Sequence, residues 1–262
     1  MQDQWAAGSA YEEFMGRWSQ RLAPEFLSWL QVPRGVDWLD VGCGTGALTH
    51  AISRQAEPAS VTGCDPAFPL IDFARQQCRD TRVSFVTAGV SNLPRCPGGY
   101  GSITSLLALN FFPDVEAAVL EMRAVSAARA MISACVWDYG DGMQFLRRFW
   151  DAASELDPAA RELDEGSRFP LCRRDALMTL FRTSGLRDVR CDPIDIPTVF
   201  TSFEDYWRPL LGGTGPAPSY VASLDSHRQL RLARTVEDKL QCRTDGTIAL
   251  IDRAWAVRGR TD

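Results

Sequence analysis

The sequence predicts an α/β protein: a Rossmann-like, doubly wound, seven-stranded mostly parallel sheet with an antiparallel last strand and a helical cap. Three observations carry this. Near-continuous apolar strands alternate with amphipathic helical stretches from residue 36 to 137, the pattern of a parallel sheet covered on both faces. A glycine-rich turn, GCGTG (42–46), joins the first strand to the helix after it. Two further strand-like runs, 187–200 and 247–259, are separated by some 45 residues. That is far more than the ~2–5 residues of a hairpin loop, so the intervening segment is an insertion.

The elements follow in order. Residues 11–31 space Phe14, Trp18, Leu22, Phe26 and Leu30 four apart, a helical stripe. Pro24 is expected to open a second helix there, because proline is tolerated in a first helical turn. VDWLDV (36–41) is the first strand and GALTHAISRQA (46–56) the helix after it. SVTGCD (60–65), VSFVTA (83–88), SITSLLAL (102–109) and AMISACVW (130–137) are the next strands. Helices over 68–78 and 114–125 alternate with them. Beyond Trp137 the texture turns helical and aromatic over 138–167. A helix over 173–184 ends at Gly185, where glycine suits the left-handed position after a helix. The insertion carries a flexible-looking GGTGPAP (212–218) and a helix over 226–241.

Composition excludes several classes. The chain is 45% hydrophobic and 23% charged with net charge −5, ordinary for one sizeable soluble domain. No basic tract offers a nucleic-acid footprint, since CRRDA (172–176) and HRQLRLAR (227–234) read as solvated helix faces. No apolar run approaches the ~20 residues of a membrane span, and the first residues do not read as a signal peptide. Eight cysteines without a CxxC pair and two histidines give no metal-ligand spacing. Reduced thiols and a cytoplasmic location are the expectation. The expected partner is a small molecule, with no nucleic acid and no membrane, for a monomer or homodimer.

The chemistry concentrates in WLDVGCGTGALT, Trp38 to Thr49. A glycine turn between strand and helix lets backbone approach a ligand and aims helix N-terminal amides at it. The run loosely satisfies the dinucleotide pattern G-x-G-x-x-G/A, a weak match taken alone. Asp40, two residues before Gly42, and Gly46 turn the balance. Asp-x-Gly-x-Gly-x-Gly at the end of the first strand resembles the first motif of the class I S-adenosylmethionine-dependent methyltransferases. Asp65, ending the second strand 19 residues after Gly46, suits a pair of ribose hydroxyls. FVTAGVSNLP (85–94), SLLALNFFPD (105–114) and EMRAV with AMISACVW parallel the family's later motifs. YEEFMGRWS (11–19) resembles the N-terminal helix that closes over the cofactor. Among its members the chain is most similar to the small-molecule quinone-biosynthesis and trans-aconitate groups.

The resemblance implies one methyltransferase domain over 1–262. N-terminal helices take 1–35, the cofactor-binding core 36–137, and cap insertions 138–167 and 201–245. Residues 168–200 and 246–262 complete the core. It implies S-adenosylmethionine as cofactor, S-adenosylhomocysteine as product, and methyl transfer to O, N or C of a small acceptor. The cofactor contacts it implies are Asp40, Gly42, Cys43, Gly44, Gly46, Asp65, Pro66, Leu70, Gly89, Val90, Leu106 and Tyr11. The chain departs from the family at three places: Gly89 stands where an acid usually grips the adenine amino group, Gly101 where the fourth strand usually has Asp, and Ala127-Ala128-Arg129 where Pro-Gly-Gly is usual.

Open α/β sheets bind ligands at the C-terminal edge. Acceptor candidates there are Arg17, Trp18, Leu107, Asn110, Trp137 and Tyr139, with Phe145, Trp150, Tyr206 and Trp207 from the insertions. Such aromatic density suits an apolar or aromatic acceptor; the competing reading is that these residues pack lid helices. No catalytic base is assigned. The alternatives are a non-catalytic or repurposed cofactor-binding protein, such as a cyclisation enzyme, and a nicotinamide oxidoreductase. The glycine spacing and a single lysine, Lys239, disfavour the last.

Overall fold

A computed structural model of the chain describes residues 12–213 and 215–262. The chain divides into two compact units. A core unit comprises Trp18–Val136, Arg173–Ile194 and Trp255–Asp262. A helical unit comprises residues 12–17, Trp137–Cys172 and Asp195–Ala254. The segments read from sequence as cap insertions, 138–167 and 201–245, both fall in the helical unit.

The strands are β1 (Asp37–Val41), β2 (Ser60–Asp65), β3 (Val83–Thr87), β4 (Tyr100–Leu106), β5 (Ser126–Trp137), β6 (Arg187–Phe200) and β7 (Ile248–Arg260). They form one sheet in the order β3-β2-β1-β4-β5-β7-β6. Pairings from β3 through β5 are parallel. Arg129 and Asp138 of the β5 segment donate to the carbonyls of Asp262 and Arg253, so β7 runs against β5 and is the antiparallel member. The order reverses on either side of β1, which places a switch point between the C-terminal ends of β1 and β4.

The helices of the core unit are α1 (Arg17–Leu30), α2 (Ala47–Gln55), α3 (Phe68–Gln77), α4 (Val115–Ala124) and, after two helices in the other unit, α7 (Arg174–Thr183). The helical unit contributes α5 (Gln144–Leu156), α6 (Glu165–Arg168), α8 (Phe203–Trp207), α9 (Pro216–Ser223) and α10 (Ser226–Lys239). Gly185, with φ 78°, follows α7 as expected. Asp114 caps α4 by accepting from the Ala117 amide at 2.9 Å.

Three expectations are corrected. Pro24 opens no second helix; it lies inside continuous α1. The buried stripe Trp18, Leu22, Phe26, Leu30 needs an unbroken helical period, and its burial offsets the ~3 kcal/mol that an interior proline costs. The helical texture read over 138–167 resolves into α5, a short 3-10 turn over Pro158–Glu162, and α6. The supposedly flexible GGTGPAP stretch gives way at Pro216 to α9, with proline in its first turn. Finally, β4 begins two residues earlier and stops at Leu106, because Leu107 turns into the left-handed region at φ 59°.

Two of the three departures from the family are explained locally. Gly101 sits at the N-terminal start of β4, just before the Trp38↔Ser102 pair, at the sheet edge opposite the glycine turn. A methyl there would come within 2.8 Å of Val36 Cβ. Its glycine answers to packing, not to a ligand. Arg129 adopts φ 58°, so the backbone keeps a conformation that favours glycine although the sequence supplies arginine.

Candidate functional site

The site grows from the C-terminal end of β1. The amides of Gly42 and Cys43 both donate to the Cys64 carbonyl, at 2.8 and 3.0 Å, and the Gly46 amide to that of Cys43 at 2.9 Å. The turn is thereby pinned to the end of β2. Gly42 has φ 73°, and a methyl on it would meet Ala108 Cβ at 2.5 Å and the Phe112 ring at 3.5 Å. No other residue fits. Gly44, at φ 53°, is different: a methyl there would meet nothing within 4 Å. Backbone is bared on that side of the turn, and Gly46 then opens α2 at φ 90°.

Asp40 is 1% exposed. Thr49 of α2 donates to one carboxylate oxygen at 2.6 Å, while the other, Oδ1, has no hydrogen-bond partner. Burial, opposed by the Thr49 bonds and aided by the Asp65 charge, pushes its pKa up to about 7. Asp40 therefore both ties α2 to β1 and keeps one oxygen available. Asp65 accepts from the Ala67 amide at 2.8 Å and the Gly44 amide at 3.1 Å. It is half-buried, and burial raises its pKa against those two bonds.

The other expected cofactor contacts spread around this turn. Cys43 turns its side chain into a cluster with Ile71, Ala74 and Phe85, and burial pushes its thiol well up. Its backbone belongs to the turn and its side chain to that cluster. Pro66 is exposed and Leu70 buried. A methyl on Gly89 would meet only Pro66 Cβ, at 4.0 Å, so room exists where the family's acid would stand. Val90 opens a short 3-10 turn, and Leu106 ends β4 buried. Tyr11 lies outside the described residues.

Sequence reasoning missed Thr49, Ala108 and Phe112. Thr49 was legible as a hydroxyl one helical turn into α2, facing the strand that carries Asp40. The other two needed the turn of Leu107. His50, also in α2, buries Nε2 without a partner, and burial lowers its pKa. Its ring meets Phe85 edge-on at 5.9 Å, so it packs under the turn as a neutral imidazole.

The acceptor candidates divide by unit. In the core unit, Trp18 is buried, and Leu107 and Asn110 follow β4. Asn110 is 8% exposed, with neither Nδ2 nor Oδ1 hydrogen-bonded. In the helical unit most candidates have structural partners. Arg17 donates to Asp205 Oδ1 at 2.8 Å and stacks over Phe200 at 4.8 Å. Tyr206 donates to the Phe145 carbonyl at 2.8 Å, and Trp150 Nε1 to buried Glu165. Phe145, Phe200 and Tyr206 meet at centroid distances of 5.0–5.2 Å, and Phe149 lies 6.5 Å from Trp207. Trp137 is buried, and Tyr139 packs beside Phe169. A polar cavity of about 780 Å³, lined by Arg147, Arg148, Asp151, Arg161 and Asp164 among others, lies in the helical unit and includes none of these candidates. Among the described residues no acid, histidine or cysteine cluster could hold a metal ion, and no helix is long and apolar enough to cross a membrane.

The motif that ends β1, the bared turn and the acid ending β2 occur together in a region that also matches a known family. Residues 39–128 match the family model described as a methyltransferase domain. Over this segment the chain is similar to methyltransferase domains. The demethylmenaquinone methyltransferase of Thermus thermophilus is 31% identical over 113 residues, 42% of this chain and 50% of that protein. The chain spans half or less of the length of the curated relatives it matches. Among solved structures, a phosphoethanolamine N-methyltransferase of Haemonchus contortus, with phosphomonomethylethanolamine and S-adenosylhomocysteine, superposes with TM-score 0.59 at 14% identity. It covers 97% of this chain and 56% of that one. A cyclase structure, SpnF, gives TM-score 0.56 at 17% identity over 92% and 81% of the two chains. The chain thus shares its fold with proteins of different chemistry, and the fold alone does not choose among them.

Proposed function

We propose that the protein transfers a methyl group from S-adenosylmethionine to O, N or C of a small apolar or aromatic acceptor. The observation that carries this is Asp40: a buried carboxyl at the glycine turn, with Thr49 on one oxygen and nothing on the other. A dinucleotide phosphate has no use for a carboxylate there, whereas the ammonium group of S-adenosylmethionine does. The residues present fit that cofactor. Gly44 bares backbone, Asp40 offers an unpartnered oxygen, and a methyl on Gly89 would meet only Pro66 Cβ, at 4.0 Å.

In this reading Asp40 meets the ammonium group through Oδ1, and its charge is restored as the cation arrives, because an opposite charge nearby favours the ionised form. Asp65 takes the ribose hydroxyls. The bound cofactor supplies a methyl group on a positively charged sulfur. What the chain itself adds is alignment of acceptor and donor and exclusion of water, a contribution that requires no titrating base.

Calorimetric titration with S-adenosylmethionine and S-adenosylhomocysteine, with NADH as comparator, tests the site. Both sulfur ligands are expected to bind and NADH is not. Asp40→Asn should keep the Thr49 bond yet weaken both by about 10–100-fold, the worth of a hydrogen bond to a charged group; Asp65→Ala should weaken both as well. Preference for NADH would end the proposal. A second reading draws on Gly89, where the usual acid is missing: a cofactor-binding protein that does not methylate. Binding of both ligands with no radiolabelled methyl recovered on any acceptor would favour it.

A further inference from the structure

We infer that Asn110 is the side chain that holds the acceptor, and that the acceptor presents a neutral hydroxyl of the phenol or enol class. The inference rests on the methyl-transfer reading above, whose acceptor it specifies.

The placement comes first. β4 ends beside β1 at the switch point, and the chain leaves it through Leu107 at φ 59°. A left-handed non-glycine residue costs about 1–2 kcal/mol, and here the Leu107 amide is locked to the Cys135 carbonyl at 2.7 Å. The consequence is that the segment after Leu107 lies against the glycine turn. A methyl on Gly42 would strike Ala108 Cβ at 2.5 Å and touch the Phe112 ring at 3.5 Å. Asn110 stands between them, following fully buried Leu109.

The chemistry comes second. Asn110 is more than nine-tenths buried, and both polar atoms of its carboxamide lack a hydrogen-bond partner. Leaving such a group unpaired costs about 1–3 kcal/mol. A leucine or methionine would fill similar space at no such cost, so packing alone gives no reason for an amide here. Its donors and acceptor lie side by side. A carboxylate would suit Nδ2 but set negative charge against Oδ1, and an ammonium group would do the reverse. A neutral hydroxyl satisfies both: its O–H donates to Oδ1 and its lone pair accepts from Nδ2. The same pairing would fix the orientation of the acceptor in the site.

The test uses the whole chain and four probes of similar size: phenol, anisole, benzoate and benzylammonium. Binding is followed by ligand-observed NMR, with and without saturating S-adenosylhomocysteine. Phenol should bind about tenfold more tightly than anisole or either ion, the worth of one neutral hydrogen bond. Asn110→Leu should abolish the preference for phenol over anisole while leaving S-adenosylhomocysteine affinity intact, and it should not lower the melting temperature. Asn110→Asp should shift the ranking toward benzylammonium. Equal binding of phenol and anisole by the natural protein overturns the inference, as does a phenol preference that survives Asn110→Leu. The cofactor arm is separate. A phenol preference that depends on Asn110 without any binding of S-adenosylhomocysteine would overturn the methyl-transfer reading while upholding Asn110 as a hydroxyl site.

Discussion

In the helical unit, Tyr206 donates to the Phe145 carbonyl and Trp150 to Glu165. Beside the glycine turn of the core unit, Asp40 and Asn110 keep hydrogen-bonding atoms without partners. Both regions bury polar groups among large apolar side chains, yet in the first the groups complete the packing and in the second they are left over. A buried, unpaired polar atom costs stability. Where such atoms gather on one loop and one turn, the economical explanation is a ligand. The aromatic residues of the helical unit looked like pocket walls in sequence because composition cannot tell a wall from a core. Their closed contacts identify Phe145, Trp150 and Tyr206 as core.

The largest expected effect concerns pH. Burial raises Asp40 and Asp252 to about 7 and Glu165 to about 8. The unfolded chain gives up these protons near the ordinary values of 3.8 and 4.5, so between about pH 4 and 8 the folded state binds more protons. The contribution of these three acids to stability is greatest below that window and falls as pH rises through it, by on the order of a few kcal/mol. Urea titrations at pH 5 and 8 should show the loss. The comparison sharpens when S-adenosylmethionine is added. Asp40 alone should then release its proton, so affinity should rise with pH toward about 7, with proton release measurable by calorimetry in buffers of different ionisation heat. Affinity that falls as pH rises would count against Asp40 as the ammonium partner.

Next in size is Gly42→Ala. The new methyl would sit 2.5 Å from Ala108 Cβ on a backbone at φ 73°, so a loss of about 3 kcal/mol and of cofactor binding is expected. Gly44→Ala, facing open space, should cost about 1 kcal/mol through backbone strain alone. It should still abolish binding if that side receives the ligand. Equal stability losses at the two positions would erase the distinction between the packed and bared sides of the turn. In the helical unit, Tyr206→Phe would strip the buried Phe145 carbonyl of its donor. A loss of about 1–3 kcal/mol in stability is expected there, with no change in affinity for S-adenosylhomocysteine.

The legible part of this molecule was its periodic part. Alternation of apolar runs located every strand within a few residues, and Asp40, the glycines and Asp65 announced the turn at the C-terminal ends of β1 and β2 by spacing. What failed was set by tertiary context. Pro24 was overridden by a buried stripe, and the end of β4 by the single backbone angle of Leu107. Gly101 carried no functional meaning because its reason, the nearness of Val36, lies on a neighbouring segment. Cys43 could not be assigned to turn or core from sequence, since its backbone serves one and its side chain the other.

The smallest effect tests whether unpartnered polar atoms always signal a ligand. The register aligns Asp40 with Thr104 and Thr104 with Ser133, and residues paired across parallel strands share a face of the sheet. Thr104 and Ser133 are fully buried, and neither hydroxyl has a partner. Unlike Asn110, they lie within the sheet and not on a loop at its edge, so nothing arriving at the turn would satisfy them. Thr104→Val keeps the shape and removes the hydroxyl. It should raise stability by about 1 kcal/mol, the lower end of the desolvation penalty, and leave S-adenosylhomocysteine affinity unchanged. A loss of stability instead would mean that the hydroxyl is bonded in solution. A loss of affinity would mean that Thr104 supports Asp40, extending the functional row from the turn into the sheet.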